Sequence, residues 1–347
     1  MTVNVNRRSF FSVAGLAGLA LLSGCTSGGS ASASSSQESS ANDSSDGQVM
    51  DGDGMFREKL IIGTLATEDI LPLWAAQKEG LFDGKGFGIE IVPFQSATEL
   101  IAGVASGEVN MAMTDIMVTA SMFASGVDVQ MKWVTLGATP DQGRFGIMAG
   151  PESEIKTLAD LAGVPIGVGS NTILEYVMDK LMEGAGVSDD KIVVEELQKL
   201  PVRYQAMASG EVAAAALPGT LLALGEASGC KLIADDTQGD NLSQSVMIVS
   251  RGLLGELEGS KAVAALEGIW NDAAEMVNAD PESYREVLID NANLPVEIAD
   301  TYPISTYPMV ALPTAAMVDP VLEWMEKKGY LTKPLAYDET TGEFSKK

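Results

Sequence analysis

Histidine is absent from the 347 residues, which removes the commonest general base and the commonest metal ligand together. Cysteine is almost absent: Cys25 and Cys230 are the two. With Cys25 modified, as argued below, Cys230 has no partner for a disulfide and cannot build a cysteine-rich metal site. Positive charge is scarce, with 22 Lys and Arg against 48 Asp and Glu and a formal charge of −26. A surface this acidic argues against nucleic acid or anionic lipid as a partner. No later apolar run approaches the roughly 18 residues of a spanning helix, so the body of the chain reads as soluble. No metal and no cofactor are expected.

What is present begins with a processing signal over residues 1–24. Arg7 and Arg8 supply a positive start, and an uncharged run from Phe10 to Leu22 follows, too short to span a bilayer. It closes on Leu22-Ser23-Gly24-Cys25, which resembles the bacterial lipobox, where cleavage frees the cysteine for acylation. Cys25 is therefore the expected lipidation site, anchoring the chain to the extracytoplasmic face of the cell membrane. Asn6-Arg7-Arg8-Ser9-Phe10-Phe11 also resembles the twin-arginine export pattern, although paired arginines occur in general secretory signals too. Loss of Arg7 and Arg8 with the signal lowers the formal charge by two, to −28. Residues 25–54 are dominated by Ser, Gly, Ala, Asp and Gln, with little to bury, and read as a flexible tether.

From Lys59 onward short apolar strands alternate with amphipathic helices, the pattern of an α/β chain with a parallel sheet. Leu60-Ile61-Ile62-Gly63 and Ile89 to Phe94 read as strands, and Leu71 to Glu79 reads as a helix. Ser96-Ala97-Thr98-Glu99 and Thr172-Ile173-Leu174-Glu175 each have the spacing of a capping box. Further helices are expected to start at Ser260, at Asp280-Pro281 and at Asp319-Pro320, the last two with Asp as cap and Pro at the first helical position. Val263, Leu266, Trp270, Ala273 and Val277 form one apolar stripe, read as core packing.

An internal repeat organises the chain. Ala105-Ser106-Gly107-Glu108-Val109 returns as Ala208-Ser209-Gly210-Glu211-Val212, an offset of 103, and between residues 102 and 132 ten of 31 positions match. Gly63 answers Gly167, and Ile89 to Phe94 answers Ile192 to Leu197. The period is too long for a solenoid and points to two lobes of like construction. The expected division is 55–143 plus 246–347 for lobe one and 144–245 for lobe two.

Ligands of open parallel sheets sit beyond the carboxyl ends of the strands, where helix N-termini offer free N–H groups. That rule selects Thr64, Thr67 and Asp69 after the first strand, Gln95 and Ser96 after the second, and Thr114 and Asp115 after the third. In the second unit it selects Ser170, Asn171, Thr172, Pro218 and Thr220. The repeat sets Asp115 against Pro218, so these loops are expected to face each other across a cleft. Trp74 and Tyr307 are candidate aromatic walls, with core packing as the alternative. Arg144 is either an anion partner or a structural ion pair at the crossover.

These residues carry a family resemblance. Lys59-Leu60-Ile61-Ile62-Gly63-Thr64, Trp74, Gly80-Leu81-Phe82, Ile89-Glu90-Ile91-Val92 and Ala105 to Val109 resemble solute-binding proteins of the nitrate/sulfonate/taurine importers, a group that includes binders of thiamine-pyrimidine precursors. Ile155 to Gly163 resembles the segment that opens the second lobe in that family. The resemblance implies a periplasmic-binding-protein-like fold of type II: two α/β lobes, two crossovers and a ligand cleft between them. It implies a monomeric receptor that closes on a small molecule and delivers it to an ABC permease and its ATPase, and not an enzyme. The expected cleft holds Asp69 and Asp115 and, for cations, at best Arg144, which favours a neutral, zwitterionic or heteroaromatic ligand over a simple anion. A receptor that senses without transport, or an enzyme using the carboxylates, is the alternative; the histidine-dependent thiamine-pyrimidine synthases of the same fold are excluded by composition.

Overall fold

The computed structural model describes residues 59–347, so the arginine pair, Cys25 and the Ser/Gly-rich stretch fall outside the described residues. No described helix is long and apolar enough to cross a membrane. The strands β1 (Lys59–Leu65), β2 (Gly88–Phe94), β3 (Met111–Asp115) and β4 (Val129–Leu136) alternate with α1 (Leu71–Lys78), α2 (Ala97–Ser106) and α3 (Ile116–Ser125). The chain crosses over and repeats the pattern in β5 (Phe145–Ala149), β6 (Pro165–Val168), β7 (Val193–Glu196), β8 (Ala214–Pro218) and β9 (Lys231–Asp235), with α4 (Ile173–Gly184), α5 (Leu200–Ala208) and α6 (Gly219–Ala227). It crosses back through β10 (Ser245–Ser250) into α7 (Arg251–Gly255), α8 (Leu257–Ala279), α9 (Arg285–Asn291), α10 (Val296–Ala299) and α11 (Ala315–Lys328). A hairpin of β11 (Leu335–Asp338) and β12 (Glu343–Lys346) ends the fold.

Two five-stranded sheets result, ordered β2-β1-β3-β10-β4 and β7-β6-β8-β5-β9. The orders are equivalent place for place. Gly63 pairs with Ala112 in the first sheet, and Gly167 with Ala215 in the second. A Cβ on Gly63 would come within 2.5 Å of Leu100, which explains a glycine where α2 rides directly on β1. The sheets are not wholly parallel, as alternation alone predicts. β10 runs antiparallel between β3 and β4, and β5 antiparallel between β8 and β9. Each is the strand that follows a crossover, so it enters its sheet from the side opposite to its neighbours.

The α8 stripe is core, as its spacing requires. Val263, Leu266, Trp270 and Val277 share a buried cluster with Leu60, Ile62 and Trp133, each such side chain contributing roughly 2–3 kcal/mol. A second cluster joins Ile116 and Met117 of lobe one, Ile147 and Met178 of lobe two, and Val318 and Trp324 of α11.

Two expected helix starts are displaced. α8 begins at Leu257, so Ser260 lies inside it and its hydroxyl donates to the Leu254 carbonyl at 2.7 Å. The start at Asp280-Pro281 is in place, with Asp280 at the cap position and Pro281 opening a short 3-10 turn that runs into α9. The Asp280 carboxylate, however, accepts from the Ser283 hydroxyl at 2.6 Å instead of from backbone. α11 starts at Ala315 with Pro320 within it, so Asp319 is no cap. Pro320 sits in the second turn, so the Ala316 carbonyl loses its helical N–H partner there. The tail is also not all helix: the β11–β12 hairpin packs on β4, where Met131 N–H donates to the Gly342 carbonyl at 2.9 Å.

Candidate functional site

The carboxyl ends of β1, β3, β6 and β8 converge between the sheets on a cavity of about 50 Å³. Thr67, Asp69, Thr114, Asp115, Thr172 and Pro218 line it. Thr114 and Asp115 are the last residues of β3 and Pro218 is the last of β8, so the repeat positions do face each other. A volume that small holds a few waters, so an organic ligand can enter only when the lobes part.

Asp115 is central to this arrangement. Its Oδ1 accepts the Val118 N–H at 2.7 Å, capping α3. Its Oδ2 accepts the Ile173 N–H at 3.0 Å, at the first turn of α4 in the opposite lobe. Burial pushes this carboxyl up to about 6, against the lowering effect of the N–H donors of Val118 and Ile173 and with a further rise from Asp69. Asp69 accepts a hydrogen bond from the Ser245 hydroxyl on the returning strand. Other contacts also bridge the lobes, among them Asn171 Nδ2, which donates to Ser121 Oγ at 2.6 Å, and Lys199, which pairs with Glu99 at 2.7 Å.

The capping boxes form only in part. Ser96 Oγ accepts the Glu99 N–H at 3.2 Å, but the Glu99 carboxylate reaches Gln95 N–H instead of Ser96. Thr172 departs further, since its hydroxyl donates to the Gly169 carbonyl at 2.7 Å and caps nothing. Glu175 takes the Asn171 N–H at 2.6 Å instead. Asn171 is left-handed at φ 58°, which asparagine tolerates better than most residues and which displaces the expected register by one.

The remaining candidates do not line the cavity. Thr64 is buried in β1, its hydroxyl donating to the Leu65 carbonyl at 2.9 Å. Trp74 packs in the lobe-one core. Gln95 is exposed, Ser96 and Thr220 are buried outside the lining, and Ser170 donates to Glu196. Tyr307 is core as well, and its hydroxyl donates to the Glu68 carbonyl at 2.9 Å. Arg144 proves to be a structural ion pair, bidentate to Glu226 at 3.0 Å and bonded to Asp235 at 2.7 Å.

Two features escaped sequence reasoning. Arg203 on α5 reaches the cavity wall although it is 2% exposed. Its guanidinium donates to the carbonyls of Leu197, Ala216 and Gln198 at 2.8, 3.0 and 3.3 Å. Burial holds its pKa down to about 10. The repeat contains the signal that finds it: at the offset of 103, Arg203 stands where lobe one has Leu100, a fully buried core residue. The second feature is Glu68, whose buried carboxylate receives the Tyr302 hydroxyl at 2.7 Å. Burial pushes Glu68 up to about 7, opposed by the Tyr302 bond. Glu68 also borders a wider cavity of about 600 Å³ between the crossover and the loop carrying Tyr302. The narrower space is the better candidate site, because the strand-end loops of both lobes meet there.

The sequence model of the NMT1/THI5-like family matches residues 67–283. The chain belongs to that family. No curated protein matches it by sequence. Among solved structures it is similar to the alkanesulfonate-binding protein SsuA from Xanthomonas axonopodis pv. citri bound to MOPS, at 20% identity and a TM-score of 0.67, over 80% of this chain and 95% of that one. The ligand-binding component of an ABC-type import system from Staphylococcus aureus, with zinc bound, reaches a TM-score of 0.70 at 14% identity, over 81% and 95%. The desulfurization enzyme DszB has the same fold, at 17% identity and a TM-score of 0.59, over 80% and 94%. At these identities the likeness shows the fold: two α/β lobes of the periplasmic-binding type.

Proposed function

We propose that the chain is the extracytoplasmic solute-binding component of an ABC importer, which captures a small molecule by closure of its lobes. One observation carries the reading: strand ends from both lobes meet in one small cavity, and a single carboxylate, Asp115, bonds helices on either side of it. A ligand that bridges the same two walls stabilises the joined arrangement, which is what a capture device requires. The binding proteins that share the fold support the reading. Among the described residues no group of His, Cys, Asp and Glu could hold a metal ion, and the buried Cys230 is not among the cavity-lining residues.

The rest of the assignment completes this picture. Residues 1–24 export the chain, Cys25 carries lipid, and residues 25–54 tether a monomeric receptor to the outer face of the membrane beside its permease. Lobe one comprises 55–143 and 246–347, lobe two 144–245. Calorimetric titration of the full chain with sulfonates, nitrate, pyrimidines, flavins and amino-acid-like compounds tests binding, with small-angle scattering to read compaction. One saturable ligand, recovered unchanged after incubation, is the expected result. Turnover of the ligand would replace the receptor by an enzyme of the DszB kind, and no binding to any class would remove the solute role.

A further inference from the structure

α1 and α4 hold equivalent places, each following the strand second from the edge of its sheet. They are covered in different ways. α1 lies under α8 of its own lobe through apolar contact, as where Ala76 packs with Ile269 and Ala273. α4 lies under α11, and there charges meet. Lys328 reaches Glu175 at 2.8 Å and Asp179 at 2.9 Å, and Trp324 Nε1 donates to Asp179 at 2.8 Å. One residue earlier, Lys327 reaches Glu183 at 2.9 Å and Asp189 at 2.5 Å. Among the described residues, both donors to Asp179 come from α11.

α11 is tied at both ends to the first sheet. Ahead of the helix, Val134 N–H on β4 donates to the Ala311 carbonyl at 3.0 Å, and beyond it Met131 N–H donates to the Gly342 carbonyl at 2.9 Å. The Tyr337 hydroxyl of the terminal hairpin joins the two flanks by donating to the Pro313 carbonyl at 2.8 Å. α4 belongs to the second sheet, and from its first turn Ile173 N–H crosses the cavity to Asp115. The other lobe therefore grips α4 twice, at the cavity by one hydrogen bond and along its body by α11.

An apolar cover costs free energy in proportion to the area exposed on parting. A charged cover releases more easily, because Glu175 and Asp179, with side chains 1% and 4% exposed, regain hydration on leaving Lys328. Resting on the reading of the two lobes as a closing receptor, we infer that α11 is a clasp: a helix carried by lobe one that holds α4 while the lobes are joined and lets it go when they part. The clasp sets how readily the empty protein opens, from outside the cavity and without touching ligand.

Amide exchange of the full chain without ligand, read residue by residue, tests the clasp. The Ile173 N–H bonds across the gap to Asp115, whereas the Val118 N–H takes the other oxygen of the same carboxylate within lobe one. Lys328→Met should speed exchange at Ile173 by ~10-fold or more, with Val118 and the body of α4 unchanged. Lys327→Glu, at an exposed position, should act in the same direction by a smaller factor and guards against misfolding in the first variant. Unchanged exchange at Ile173 in both variants rules out the clasp. So does a rise shared by Val118 or by the body of α4, which would mark α11 as ordinary packing. No ligand enters the measurement, so the solute role stands or falls separately on the titrations.

Discussion

Asp115 and Ile173, on opposite lobes, are joined by a 3.0 Å hydrogen bond from the first turn of α4 to the carboxylate that caps α3. One side chain thus serves local structure and lobe contact at once. Asp115→Ala should cost about 1 kcal/mol of stability for the lost cap and, separately, weaken ligand by ~10-fold or more through the lost bridge. Thr172→Ala, which releases the Gly169 carbonyl, should weaken ligand by a smaller factor. Calorimetry on both folded variants decides the matter, and unchanged affinity in both would remove the site from this cavity.

Glu68 gives a pH prediction whose sign is fixed by burial. Its carboxyl is raised from 4.5 to about 7, with Asp69 adding to the rise and Tyr302 and Arg144 opposing it. A group whose folded pKa is raised contributes stability below its unfolded pKa and loses it as pH climbs through the folded value. Stability assigned to Glu68 should therefore fall between about pH 4.5 and 7, on the order of 3 kcal/mol. Glu68→Gln has no proton to lose. Melting profiles at pH 5 and pH 8 should show the variant gaining on the wild type at the higher pH, and parallel profiles would contradict the assignment.

How much of this was legible without coordinates differs between fold and site. The 103-residue repeat yields equivalent sheets because each lobe needs the same small residues where helix meets strand, as at Gly63 and Gly167. Strand direction was not legible: β5 and β10 read as ordinary apolar strands, and only long-range topology reverses them. At the site, the rule of strand ends selects Asp69, Asp115 and Pro218, which line one cavity because the backbone alone places them there. It cannot select Arg203, whose guanidinium enters from a helix body. Thr172 also lines the cavity and Ser96 does not, and the side chains of both have local backbone partners.

The two crossovers touch at one glycine. Gly137 has φ +83°, and a Cβ there would fall 1.8 Å from the Ser243 carbonyl oxygen. Asn241 Nδ2 holds the Gly137 carbonyl at 2.9 Å from the same returning segment. Gly137→Ala combines a disfavoured backbone region with a clash against main chain, neither of which a rotamer change relieves. A loss of at least about 3 kcal/mol is expected by chemical denaturation. Gly163→Ala, also at positive φ but with open space around it, should cost about 1 kcal/mol. Equal losses at the two positions would mean that the crossovers are not packed as described.

Lys328 near the end of α11 offers the last test. Its ammonium lies 2.8 Å from Glu175 and 2.9 Å from Asp179, two carboxylates on α4 whose side chains are 1% and 4% exposed. Trp324 Nε1 donates to Asp179 at 2.8 Å, and the Tyr330 hydroxyl donates to Glu175. Burial raises Asp179, while the Trp324 and Lys328 bonds lower it. Removing the lysine leaves two buried carboxylates with neutral donors only. Because Lys328 itself keeps contact with water, the cost of Lys328→Met should be roughly 2 kcal/mol, below the 3–5 typical of a fully buried pair. Asp179, which burial already raises, can relieve the repulsion by taking up a proton, so the deficit should shrink at pH 5 and widen at pH 8. Denaturation curves at the two pH values read this directly, and a deficit that does not change with pH would assign Lys328 to packing along α11 instead of to charge.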